Sequence, residues 1–146
     1  AAATLHIQRL LAEQRSVLLQ PYLARVDQDG ETALLYFGGE YSHAIRKGPL
    51  LRRGEGPTSH LFAPEAITPR QPGQDERQLA DRLVKALPGL FGLDRPLAYA
   101  RIDLLRGSDG RPCLLELELT EPSLFFAQAE GSAERLVTAL RAHAAA

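Results

Sequence analysis

The stretch YARIDLLRGSDGRPCLLELELT, residues 99–120, restricts the fold more than any other part of this sequence. Two apolar runs flank Asp109-Gly110, a dipeptide suited to the type I′ hairpin turn, in which both central residues need positive φ. A two-residue turn centred there pairs Asp103 with Glu116 and Arg101 with Glu118. Directly opposed residues of an antiparallel pair share a face, and so do residues two apart. The pattern therefore predicts one leucine-rich face turned to a core. On the other face, three carboxylates crowd around one arginine. Gly107 and Pro112 offer the means for a bulge that would slip this register by one residue.

The rest of the chain reads as an α+β domain, an antiparallel sheet with flanking helices. Leu5, Ile7, Leu10, Leu11 and Gln14 predict a short amphipathic helix to about residue 15. SVLLQPYL, residues 16–23, reads as a buried strand broken by Pro21, and ARVDQDG as a loop. ETALLYF and EYSHAIRK flank Gly38-Gly39, a second two-residue turn signal, which pairs Glu31 with Arg46. Residues 48–76 form a long surface excursion rich in Pro, Gly, Arg and Ser. A helix over DERQLADRLVKALPGLFG takes Asp75 as its N-cap and nears its end at Pro88-Gly89. EGSAERLVTALRAHAAA closes the chain as a helix.

With 146 residues and a net charge of −1, the chain is long enough for a core, and its charge gives no reason to expect a nucleic-acid or anionic-membrane partner. No apolar run is long enough to cross a bilayer as a helix. Cys113 is the single cysteine, so no internal disulfide forms, and a reducing, cytoplasmic setting is expected. The chain contains no methionine and opens on three alanines, which suggests a fragment of a longer protein.

Like charges opposed across a sheet destabilise it unless something positive intervenes. Arg101 supplies one cation. Bound Mg²⁺ would supply more, since it takes oxygen ligands, often one or two carboxylates together with substrate phosphates. Asp103 and Glu116 could hold one ion, and Glu116 and Glu118 could share a second. A plainly solvated face with alternating Glu and Leu also accounts for the spacing. Lys47, one of two lysines in an arginine-rich chain, points mildly to a phosphate contact.

Other chemistries find no motif. RRGEGPTSH lacks the lysine of a phosphate-binding loop. His6, His43, His60 and His143 are too scattered for a metal set. Cys113 reads as packing, Ser123 lies outside any nucleophile elbow, and Arg52-Arg53 reads as a solvated loop.

Taken together, the segments resemble the C-terminal metal-binding lobe of the ATP-grasp superfamily. The residues that carry the likeness are Arg101-Ile102-Asp103, the hairpin, and Leu115-Glu116-Leu117-Glu118. QPYL resembles the hinge that holds adenine, and the ETALLYF–SHAIRK hairpin resembles the one that follows it. The nearest subgroup is that of bacterial ligases similar to the D-cycloserine-biosynthesis ligase. The likeness covers most of residues 16–127. It implies the large lobe of an ATP-grasp fold, with the N-terminal substrate domain and the small lobe carrying a glycine-rich loop absent from residues 1–146. It also implies a carboxylate–amine or carboxylate–thiol ligase that works through an acyl phosphate, with ATP, Mg²⁺, a small-molecule carboxylate and a nucleophile as its partners. Gln20, Pro21, Tyr22 and Leu23 would line the adenine pocket, and Glu31, or else Asp27, would hold the ribose. Arg46 or Lys47 would lie near the phosphates or acceptor. Asp103, Glu116 and Glu118 would hold the metal, and Arg101 would act in catalysis on the developing charge. Glu118 departs from the pattern, since many members have Asn there, and this leaves the number of ions open. The sequence also leaves open a homo-oligomer, a nucleotide-binding module without catalysis, and an α+β interaction domain with a solvated acidic face.

Overall fold

The computed structural model describes residues 2–49 and 66–145. The elements run α1 (Ala2–Ala12), α2 (Val26–Asp29), β1 (Glu31–Phe37), β2 (Glu40–Lys47), β3 (Ile67–Pro69), α3 (Gln74–Phe91), β4 (Tyr99–Arg106), β5 (Pro112–Glu118), a 3₁₀ turn (Phe126–Gln128) and α4 (Ser132–Ala144). The five strands form one sheet in the order β3-β2-β1-β4-β5, with every neighbouring pair antiparallel. This is the expected α+β layer. His60 and the Arg52-Arg53 pair, like much of the expected excursion, lie outside the described residues.

The two faces of the sheet divide the labour. On one, Leu34, Tyr36, Ala44, Ala100, Ile102 and Leu104 pack against Ala80, Val84 and Leu87 of α3, and all are buried. Each such large side chain contributes about 1.5–3 kcal/mol when fully removed from water. The same face carries a polar knot. Thr32 Oγ1 donates to Glu76 Oε1 at 2.8 Å, and the Gly73 N–H donates to Glu76 Oε2 at 2.7 Å. Gly73 is thus the N-cap of α3, where Asp75 was expected. Asp75 is drawn aside by Arg106, which donates to it and holds its carboxyl down to about 2. Pro88 sits inside α3 without ending it. The helix stops three residues later, where Gly92 takes a left-handed φ of 65°.

Both hairpins differ from the ideal by a bulge. Gly38 and Gly39 have φ of 60° and 86°, the turn the sequence predicts. Four residues on, Ser42 is an extra residue between the pairs Tyr36–Tyr41 and Leu35–His43. Glu31 therefore faces Lys47, and Arg46 faces Thr32, which corrects the expected Glu31–Arg46 pair. In the second hairpin Arg106 pairs with Pro112, so the connection is the longer loop 107–111 and the register starts one residue out. A bulge at Leu115 then takes up that residue. Beyond it Asp103 faces Glu116 and Arg101 faces Glu118, the pairing read from the sequence.

Residues 16–23 are not a strand, which corrects the expected buried one. They run irregularly, with Leu18 and Leu19 84% and 73% exposed. Among the described residues no sheet edge pairs with them, and Pro21 has no N–H to give a ladder. The expected loop after them contains the single turn of α2.

Candidate functional site

The face of the sheet opposite α3 collects charge. Arg101 and Asp103 come from β4, Glu116 and Glu118 from β5, Lys47 from the end of β2 and Glu31 from the start of β1. Asp103 is fully buried, and both of its oxygens are engaged. Arg101 Nε donates to Oδ1 at 2.9 Å, Arg101 Nη2 to Oδ2 at 3.0 Å, and Lys47 Nζ to Oδ2 at 2.6 Å. Arg101 Nη2 also reaches Glu116 Oε2 at 3.2 Å and Glu118 Oε2 at 2.5 Å. Lys47 Nζ lies 3.7 Å from Glu31 Oε2. Burial alone would lower the Arg101 pKa. The bond to Asp103 and the charges of Asp103, Glu118 and Glu116 outweigh it and hold the group above its ordinary value.

Burial differs across the cluster. The Glu116 side chain is 54% exposed and that of Glu118 24%, against 1% for Asp103. A merely solvated acidic face would not bury Asp103 between two cations, so the structure departs from that reading at this residue. Among the described residues no three His, Cys, Asp or Glu side chains gather around a common point. The carboxylates converge on Arg101 instead. Their chemistry still suits a hard divalent cation. The donors are all oxygens, and among the described residues the cluster sets four carboxylates against two cations.

The segment after β5 folds back over this face, which the sequence reading missed. The Phe125 ring centroid stands 5.9 Å from Arg101 Cζ, and the Phe126 ring packs on Phe37. Phe125 takes a left-handed φ of 49°, unusual for a bulky residue. His43 Nε2 donates to the Leu124 carbonyl at 3.1 Å. A carbonyl can only accept, so Nδ1 is the unprotonated nitrogen and accepts the Ser42 hydroxyl at 2.9 Å. Burial holds His43 below the ordinary imidazole pKa; the Leu124 bond opposes this and Arg135 adds to it. Pro122 and the Phe125-Phe126 pair, directly after the glutamates, were the signal for this fold-back.

Other expected site residues stand apart. Gln20, Pro21 and Tyr22 are exposed and Leu23 half-buried. The Tyr22 hydroxyl donates to Asp27 Oδ1 at 2.5 Å, which ties that segment to α2. Arg46 lies on the α3 side of the sheet. Its Nε donates to the Asp29 carbonyl at 2.9 Å and its Nη2 to that of Gln28 at 3.1 Å. The bulge at Ser42 is what turns Arg46 away from the carboxylates and Lys47 toward them. A groove of about 570 Å³ between the β1–β2 turn and α4 is lined by Phe37, Tyr41, Pro96 and Ala139, with no member of the charged cluster.

No family model matches the chain. It is 44% identical over 138 residues to the cycloserine biosynthesis protein DcsG of Streptomyces lavendulae, covering 94% of this chain and 46% of that protein. The crystal structure of D-cycloserine synthetase DcsG matches with a TM-score of 0.83 and 41% identity, over 97% of this chain and 47% of that one. D-alanine–D-alanine ligase from Bacillus anthracis, complexed with ATP, matches at 0.53 and 18% identity over 93% and 46% of the two chains. The ATP-grasp ligase PsnB, complexed with a minimal precursor, matches at 0.52 and 18% over 84% and 36%. The chain thus spans about half the length of the curated relative it matches. In sequence, then, the chain is similar to about half of the cycloserine biosynthesis protein DcsG, and it shares its fold with part of a D-alanine–D-alanine ligase and of the ATP-grasp ligase PsnB.

Proposed function

We propose that this chain is the ATP- and Mg²⁺-binding lobe, the C-terminal one, of a carboxylate–amine or carboxylate–thiol ligase. The observation that carries the reading is the pairing of Asp103 with Glu116 around a buried Arg101, with the partly open Glu118 beside it. In such a ligase the substrate carboxylate attacks the γ-phosphorus of ATP and releases ADP. The nucleophile then displaces phosphate from the acyl phosphate. Little covalent work falls to the protein, which positions the groups and neutralises charge. Glu116 and Glu118, the more open carboxylates, would hold the metal with Asp103. Bound Mg²⁺ would neutralise the phosphate oxygens. Arg101, locked in place by three carboxylates, keeps its charge at any working pH and faces the same oxygens.

The hinge residues Gln20, Pro21, Tyr22 and Leu23 would line the adenine pocket. For the ribose, the geometry favours Asp27 over Glu31. Asp27 is bonded to Tyr22 of the hinge, whereas Glu31 stands beside Lys47 in the charged cluster. Lys47 would meet the phosphates. Arg46 instead secures the end of α2, and so the placing of Asp27. The kinship with a D-cycloserine synthetase supports a small-molecule acid as substrate.

Titration calorimetry of the full-length polypeptide with a non-hydrolysable ATP analogue tests the reading. Binding should depend on Mg²⁺ and weaken at least tenfold in Arg101→Met, given the size of a desolvated charge-assisted bond. Equal affinity in Mg²⁺ and in EDTA would overturn it.

A further inference from the structure

Of the two cations that the described residues bring to the cluster, Arg101 is held by three carboxylates and Lys47 by one hydrogen bond. Arg101 is a planar fork held by Asp103, Glu116 and Glu118 at once. Lys47 is a point charge on a flexible stem, bonded to one oxygen, Asp103 Oδ2, at 2.6 Å, with Glu31 Oε2 3.7 Å away. That Asp103 oxygen also takes Arg101 Nη2 at 3.0 Å, so its lone pairs are committed. A divalent ion bound to it at about 2.1 Å would stand within a few ångströms of the ammonium, and the two would repel strongly at this depth.

We propose that Lys47 is an exchangeable counter-ion. It holds Asp103 until a divalent cation takes that carboxylate, and then shifts by about a bond length to Glu31. The inference rests on the metal reading above and adds to it a price in affinity: the metal must displace Lys47, and Glu31 eases the displacement by receiving it. Lys47 is here a positioning residue. The bulge at Ser42 makes the exchange possible, because it alone brings Lys47 opposite Glu31.

The test is Mn²⁺ binding to the full-length polypeptide without nucleotide, read by electron paramagnetic resonance. Lys47→Met should bind Mn²⁺ about tenfold or more tightly than wild type, the usual effect of removing one close like charge. Lys47→Arg retains the charge and grips Asp103 more firmly, so it should bind Mn²⁺ more weakly; it also serves if the methionine variant fails to fold. Glu31→Gln should weaken binding several-fold, and this loss should vanish in the Lys47→Met background. An equal loss from Glu31→Gln in both backgrounds would mean that Glu31 acts through its own charge, and would overturn the exchange. So would Mn²⁺ binding in wild type that no Lys47 variant alters. Absence of Mn²⁺ binding in every variant would instead overturn the metal reading and the exchange with it.

Discussion

Asp103 and Glu116 face each other across two strands, yet one is sealed from water and the other half open. On the metal reading proposed above, that asymmetry gives them different shares of one site. Asp103 organises the two cations, and Glu116 has an edge to offer a ligand. Glu116→Gln in the full-length polypeptide should cost on the order of 10²-fold in kcat and raise the Mg²⁺ needed for half-maximal rate. A thermal melt should show little loss, because the side chain is half exposed. If the carboxylates only crowded one another, the same substitution would raise the melting temperature and leave turnover intact. Steady-state kinetics over a Mg²⁺ titration separates the two. The pairing of these residues was legible in the sequence because a strand's alternation and a Gly-containing turn are local. The partners of Asp103 were only half legible. Arg101 is two residues away, but Lys47 arrives from another hairpin, through a bulge that no residue pattern announces.

At the scale of elements, β1, β2, β4, β5, α3 and α4 could be read from periodicity and turn residues. The misread strand over residues 16–23 shows the limit. Apolar content makes a segment fit to be a strand, but only a neighbouring edge makes it one, and that edge is a tertiary fact. The fold-back of residues 120–129 is tertiary in the same way. It is fastened to β2 by the bond from His43 to Leu124, which gives it a pH dependence. Since burial lowers the His43 pKa, the folded state favours the neutral ring. Its contribution is whole above the unfolded imidazole pKa of about 6.5 and is lost as pH falls through the lower folded value. Protonation would also take from Ser42 its acceptor at Nδ1. Melting temperatures measured from pH 7.5 to pH 5 should fall more steeply in wild type than in His43→Gln. Parallel curves would remove His43 from the account.

At the scale of the molecule, the chain matches under half of the synthetase it resembles. It has no glycine-rich loop followed by a lysine to grip the β- and γ-phosphates. On our reading, such groups close over an acyl phosphate and keep water from it. This chain alone should therefore bind Mg·ATP weakly and ligate nothing. ATP-dependent ligation by residues 1–146 alone, followed as ADP release, would show that the catalytic parts have been misplaced.

The bulge at Leu115 has a consequence for how this hairpin tolerates lost residues. Because Leu115 has no partner on β4, removing it takes out a residue that the ladder does not count. A chain lacking Leu115 should keep Glu116 opposite Asp103 and still bind Mn²⁺, with a loss of about 1–2 kcal/mol from the missing apolar side chain and altered twist. Removing Leu117 instead should swing Glu118 onto the α3 side beside Ile102, where an unpaired carboxylate would meet the hydrophobic core. That second chain should fail to fold. Two single-residue deletions, two positions apart in one strand, are thus expected to give opposite outcomes in a thermal melt.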